Sequence, residues 1–281
     1  TARHQVLSGM LLAVAVLAAQ QCAEAEAEAA EPPENMLSYG LTHLWTSPIL
    51  RYQLLAQGHP SLALLEAAVL ERYAAFSENC SRMQLRPGET ANDAWFAEQR
   101  DAFERGENSW LEQASGTAVA AAMRHLRGAW LSNAREYVGA AVGADAADDF
   151  FADASALRLF VWAAAHQGCS LHTPHVHQES AISGVFYVRV PSRSGPISFD
   201  DPRGMRPPFA ANRLVHHPAP GELLLFPPWI VHGVAPSCDA TSPRIALSFN
   251  LMSSNPPEGT GGADPNWEVL ADASVVMAAE G

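Results

Sequence analysis

The hydrophobic pattern of this chain changes character near Asp153. Before that point apolar residues recur at helical spacing. Leu62 to Phe76 (LALLEAAVLERYAAF) has no internal Gly or Pro and follows Ser61 as a capping residue, so it is predicted to be an amphipathic helix. A long amphipathic helix is expected over Ala114 to Val142, interrupted near Gly128, with a shorter one around Ala94–Phe103. The apolar stripe of the long helix is expected to cover one side of a sheet. Tyr39 to Leu55 reads as a strand broken by Pro48, and Pro87-Gly88 as a turn. After Asp153 short β-runs alternate with Pro, Gly and Asn turns: Leu157–Ala165, Gly184–Val190, Pro196–Phe199, Arg213–His217, Glu222–Phe226, Ile230–Val234 and Arg244–Met252. Helices first and many short strands afterwards predict an α+β chain whose β part is a sandwich or barrel.

Both ends lack this patterning. Arg3 and His4 precede an apolar run, Val6 to Ala19, followed by an Ala-Glu alternation to Glu31. The run resembles a signal peptide and is shorter than the twenty or so apolar residues that span a membrane. Because the chain begins at Thr1, a longer signal-anchor or organelle leader stays open. The expected division is a leader and acidic linker over 1–30, a folded domain over 37–252 and a flexible tail over 253–281. Secretory-pathway or organelle entry is expected, with a cytoplasmic location as the alternative. Asn79-Cys80-Ser81 has the form of a glycosylation sequon, a triplet that also arises by chance.

The net charge of −13, with arginine as the only basic side chain besides histidine, argues against nucleic acid and anionic membranes as partners. Four cysteines, Cys22, Cys80, Cys169 and Cys238, contain no Cys-x-x-Cys pair and give little support to a disulfide framework.

The chemistry concentrates in Leu171 to Val190, LHTPHVHQESAISGVFYVRV. His175, His177 and Glu179 are spaced by two, and in extended backbone such side chains share a face. His232 arrives at the end of LLLFPPWIVHGV. Any one of these histidines alone is more often a surface or core residue. Imidazoles converging from two strands are what a mononuclear non-haem metal site requires.

The segment HTPHVHQESAISGVFYVRVPSRSGPISFDDPRG, then APGELLLFPPWIVHGVAP and SPRIALSFNL, resembles the 2-oxoglutarate/Fe(II) oxygenases of the prolyl-hydroxylase-like superfamily. More narrowly it is similar to a bacterial and algal branch with a His-x-His run before SGVYYV. The resemblance covers about Trp162 to Leu251, and extends weakly to Leu44–Pro48. It implies a double-stranded β-helix (jelly roll, cupin-like) with N-terminal helices packed on the sheet. It also implies Fe(II) and 2-oxoglutarate as cofactor and cosubstrate, O2 as the oxidant, and hydroxylation of an unidentified small molecule or peptide. The alignment of blocks before SGVFYV favours His175, His177 and His232 as ligands; the literal His-x-Glu reading, with His177, Glu179 and His232, stays open. Arg244 takes the position of the residue that pairs with the distal carboxylate of 2-oxoglutarate, for which a planar guanidinium fork is suited. Tyr187 and Ser248 are expected beside it. Asp200 to Gly204 is expected as a turn, and His172, His216 and His217 as surface residues. A ligand set without a carboxylate keeps a rival reading open, a cupin-like metal- or ligand-binding module without oxygenase activity.

Overall fold

A computed structural model describes residues 47–80, 90–113, 117–204, 213–238 and 242–253. The expected leader, acidic linker and C-terminal tail, the first part of the Tyr39–Leu55 strand and the Pro87-Gly88 turn lie outside these residues. Strand β1 (Leu50–Gln53) is followed by helices α1 (Pro60–Cys80), α2 (Ala91–Glu104), α3 (Trp110–Gln113), α4 (Ala118–Ala141) and α5 (Ala144–Phe150). Eight strands follow: β2 (Leu157–His166), β3 (Ser170–His175), β4 (Ile182–Arg189), β5 (Ile197–Asp200), β6 (Arg213–His216), β7 (Glu222–Phe226), β8 (His232–Ser237) and β9 (Arg244–Ser253). Among the described residues no helix is long and apolar enough to cross a membrane.

Local chemistry moves several expected boundaries. Helix α1 begins at Pro60 rather than after Ser61. Proline suits a first helical position, and the His59 imidazole accepts from the Ser61 amide. Helix α2 starts at a capping box, in which Thr90 accepts from the Asp93 amide and Asp93 from the Thr90 amide. The long helix is shorter than expected, capped by Thr117, and runs through Gly128 without a break. Its buried stripe of Met123, Leu126, Trp130, Ala134 and Tyr137 holds it against the sheet and outweighs the modest cost of one glycine.

The strands form two antiparallel sheets, one of five in the order β1-β7-β4-β9-β2 and one of four in the order β3-β8-β5-β6. Side-chain alternation gives the larger sheet two apolar faces. Phe186, Leu223, Leu225, Ile245, Leu247 and Phe249 join the helices in the main core. Val185, Tyr187, Leu224, Phe226 and Ala246 point the other way and pack with Ile197, Phe199 and Ile230, residues of and beside the smaller sheet. On the helix side, Gly184 is required by packing. A Cβ there would lie 2.3 Å from the ring of Phe249, which is itself stacked on Trp130.

Helix α2 is fastened to the free edge of β2 by side-chain amides. Asn92 donates to the Ala165 carbonyl at 2.9 Å and accepts from its amide at 3.0 Å. Gln99 does the same at Ala163, with distances of 3.1 and 2.9 Å. Two side chains thereby supply hydrogen bonds that a further strand would otherwise make.

The cysteines correct the sequence reading. Cys169 and Cys238 form a disulfide that joins the turn before β3 to the end of β8. A separation of 69 residues gave no hint of the pairing, which the β3–β8 ladder brings about.

Candidate active site

Strand β3 ends at His175, earlier than the spacing argument assumed. His175 pairs across the ladder with His232, the first residue of β8. His177 belongs to the loop after β3 and is held there because its amide donates to the Pro228 carbonyl at 2.9 Å. One candidate nitrogen from each of His175, His177 and His232 lies within 4.8 Å of the others. His177 Nε2 and His232 Nε2 are 3.2 Å apart. Two imidazoles bound at about 2.1 Å to one ion show a separation of this size. Glu179 is exposed on the wall of the adjacent groove and is not part of the trio.

Each ring is oriented from behind. His175 Nδ1 faces the Thr173 carbonyl at 2.7 Å, and His232 Nδ1 faces the Ile230 carbonyl at 3.0 Å. His177 Nδ1 faces the Asn250 amide nitrogen at 3.2 Å. Burial holds all three below the ordinary histidine range. His177 is lowered to about 3, with His232 and His175 adding to burial, and His232 to about 4, with His175 adding. They are therefore neutral near pH 7, the form in which imidazole binds metal. The donor set, its protonation and its spacing fit a transition-metal ion.

Beside the trio a narrow pocket of about 40 Å³ runs between the sheets to Arg244, Tyr187 and Ser248. Arg244 is 1% exposed, and among the described residues its Nε and Nη1, like the Tyr187 hydroxyl, have no hydrogen-bond partner. The guanidinium lies 5.0 Å from the centre of the Tyr187 ring, and burial raises that phenol to about 12. Donors buried without partners at the end of a pocket lined by imidazoles can receive an anion.

On the other side of His175 and His177 a groove of about 720 Å³ is walled by Phe96 and Phe103 of α2 and by Phe160 and Trp162 of β2. Trp162 stacks on Phe160 at 4.9 Å and stands 5.8 Å from the His177 ring.

Two expectations about histidines are revised. His172 is not a surface residue: it lines both cavities, its ring 5.1 Å from His166 and 5.3 Å from His175. His216 is half-buried and bonds Glu222 at 2.8 Å, whereas His217 is exposed as expected. His166, Trp162 and Asn250 were not singled out by the sequence reading. All three share a strand face with pocket residues, so parity along β2 and β9 was the available signal. Of the turn expected over Asp200 to Gly204, Asp200 ends β5 and the turn begins at Asp201, which accepts from the Arg203 amide.

Residues 160–250 match the family described as "Putative 2OG-Fe(II) oxygenase". No curated protein matches the chain. Among solved structures it is similar to a prolyl-4-hydroxylase from Pseudomonas putida, at 19% identity and a TM-score of 0.34, over 58% of this chain and 80% of that one. It is also similar to prolyl 4-hydroxylases from Phytophthora capsici, at 16% identity and a TM-score of 0.34, over 66% and 63% of the two chains. A 2OG-Fe(II) oxygenase family oxidoreductase from Burkholderia pseudomallei matches at 17% identity and a TM-score of 0.30, over 37% of this chain and 49% of that one. Residues 160–250, about a third of the chain, are thus similar to a family of oxidoreductases that use iron and 2-oxoglutarate.

Proposed function

We propose that the two sheets form a double-stranded β-helix in which His175, His177 and His232 hold Fe(II), and that the protein hydroxylates an organic substrate bound in the aromatic groove. The observation that carries this reading is Arg244. A guanidinium that is 1% exposed, with two nitrogens unpartnered among the described residues, is costly to bury unless an anion completes it. It stands across a narrow pocket from the histidine trio. A dicarboxylic keto acid satisfies both ends, one carboxylate on Arg244 and the keto-acid end at the metal. Tyr187 donates its hydroxyl to the same carboxylate, and Ser248 lines the pocket beside it.

Bound Fe(II) with 2-oxoglutarate and O2 supplies the oxidising power, consuming the keto acid to succinate and CO2. The chain's own work is to fix three neutral imidazoles, to seat the cosubstrate and to keep water from its distal end. Three neutral ligands leave the charge of the ion uncompensated, and the dianionic cosubstrate offsets it. Phe96, Phe160 and Trp162 offer the substrate an apolar wall beside His177.

A second reading draws on the same trio. A ligand set with no carboxylate among the described residues departs from the usual two-histidine, one-carboxylate arrangement and suits a metal-binding module without oxygenase activity. Anaerobic titration of the Fe(II)-loaded protein with 2-oxoglutarate separates the two. Metal-dependent binding, with succinate release in air, supports the oxygenase. Tight Fe(II) binding with no response to 2-oxoglutarate supports the module.

A further inference from the structure

We infer that the substrate is an elongated, mostly apolar carboxylate. Its acid group binds Arg158, and its far end, where oxidation occurs, lies beside the histidine trio. This deepens the reading above and rests on the groove being the substrate site. One face of the larger sheet carries the arrangement. His166 of β2, paired opposite Arg244 of β9, stands at one end, and Arg158, paired opposite Met252, stands at the other. Trp162 and Phe160 lie between them on the same face, since all are an even number of residues apart. The narrow pocket occupies the Arg244 end and the groove the Arg158 end, with Trp162 lining both. A cation thus stands at each end of the face, and His175 and His177 line both cavities between them.

Arg158 is the groove cation without a carboxylate of its own: among the described residues none comes within ion-pair distance of it. The neighbouring charges are engaged. Arg100 Nε donates to Glu104 Oε1 at 2.6 Å, and Glu179 adds negative charge around the same guanidinium. Asp93 accepts from the Thr90 amide and hydroxyl, each at 2.8 Å. The Arg158 head is exposed, so a carboxylate reaches it from solvent. It lies 4.5 Å from the centre of the Phe103 ring, a contact that steadies it and leaves the planar fork to a ligand. From there to the trio the wall is aromatic without interruption. Ring centres are 5.0 Å apart from Phe103 to Phe160, 4.9 Å from Phe160 to Trp162 and 5.8 Å from Trp162 to His177. Four residues of strand separate Arg158 from Trp162, about 13 Å at the usual rise. A chain of that reach, seated by its carboxylate, lies along the rings and ends at His177. The reaction inserts one atom of O2 into a C–H bond at that end, and the other atom passes to succinate as 2-oxoglutarate loses CO2. A carboxylate held at the remote end is also kept from competing with the keto acid for the metal.

The test uses decanoate, decanol and decylammonium as probes, titrated calorimetrically into the full chain without oxygen, before and after loading with Fe(II) and 2-oxoglutarate. Wild type, Arg158→Leu and Phe103→Ala are compared, and thermal melts check the fold. Wild type should bind decanoate about three- to ten-fold more tightly than decanol, between the worth of an exposed ion pair and that of a charge-assisted hydrogen bond, and decylammonium most weakly. Added salt should shrink that advantage and leave decanol nearly unmoved. Arg158→Leu should abolish the advantage while keeping decanol affinity within about two-fold of wild type. Phe103→Ala should weaken every probe. With Mn(II) in place of iron, paramagnetic broadening should be greater for the methyl protons of decanoate than for those beside its carboxylate. Equal binding of decanoate and decanol by wild type, an advantage undiminished in Arg158→Leu, or the reverse order of broadening would overturn this inference alone. No binding of any probe to wild type, or unchanged affinities in a folded Phe103→Ala, would overturn it together with the groove as the substrate site. The expected probe binding without any response to Fe(II) or 2-oxoglutarate would support the carboxylate site and remove the oxygenase reading.

Discussion

Replacing Arg244 by leucine should move stability and binding in opposite directions. Arg244 is buried to 1% exposure, and among the described residues no carboxylate pairs with it. The ring of Tyr187 lies 5.0 Å from the guanidinium and offers about 0.5–2 kcal/mol of compensation. Desolvating a lone cation costs several kcal/mol, so an apolar side chain of similar length should raise the melting temperature of the ligand-free protein. The same change removes the anchor for the distal carboxylate. Loss of one partner from a buried, hydrogen-bonded charge pair costs about 2–5 kcal/mol. At about 1.4 kcal/mol per decade, 2-oxoglutarate binding should weaken by about thirty-fold to four-thousand-fold. Arg244→Lys should recover part of this, keeping the charge and losing the planar fork. The assay is calorimetric titration of the Fe(II)-loaded protein with 2-oxoglutarate without oxygen, beside thermal melts of each variant without ligand. A leucine variant that melts lower and binds 2-oxoglutarate as wild type would refute the reasoning. It would mean that Arg244 is a structural cation with a partner of its own.

The remaining predictions probe the ligands, the helix attachment and the response to acid. His175→Ala and His232→Ala should each lose Fe(II) by metal analysis while Glu179→Ala retains it; the reverse order would restore the literal His-x-Glu ligand pair. Gln99→Leu strips partners from the Ala163 amide and carbonyl and from the Trp110 indole, which donates to Gln99 at 3.1 Å. At about 1–3 kcal/mol for each of the two buried backbone groups left unmade, urea denaturation should show a loss of about 2–6 kcal/mol, and a loss below about half a kcal/mol would count against the edge bonds. Burial, then His172 and Arg244, lower His166 to about 3. The folded state therefore binds its proton less readily than the unfolded chain. Stability should be steady above pH 6.5 and decline as pH falls from there toward 3. His166→Gln should lessen the decline measured by urea midpoints between pH 7 and 4.5, and an unchanged slope would show that His166 carries none of it.

What the sequence disclosed was set by period. Alternation along Arg244–Asn250 separated the core residues Ile245, Leu247 and Phe249 from the pocket residues Arg244, Ala246 and Ser248, and the structure divides them the same way. The meeting of His232 with His175 was legible because His232 ends an apolar run and His175 stands in the His-x-His block before SGVFYV. The rest depended on contacts between distant segments. No local pattern announces that Asn92 and Gln99 bond to β2, because polar residues on a helix ordinarily face water. The Cys169–Cys238 bridge depends on the β3–β8 register, which cysteine spacing does not encode. His172 was judged by its polar neighbours in sequence. In space its neighbours are His166 and His175.

The amide fastening of α2 separates two kinds of inheritance in this chain. Asn92 and Gln99, seven residues apart, grip backbone groups of β2, which every residue type except proline offers alike. Phe96, Arg100 and Phe103 line the groove from the adjoining stripe of the same helix. The helix lies outside residues 160–250, where the family signature and the histidine trio reside. Substitutions on the groove stripe can therefore accumulate without altering the seat of the helix or the ligands. Transplanting α2 with Asn92 and Gln99 kept, and the rest of its groove face exchanged, offers a route to new substrate preference on an unchanged reaction centre.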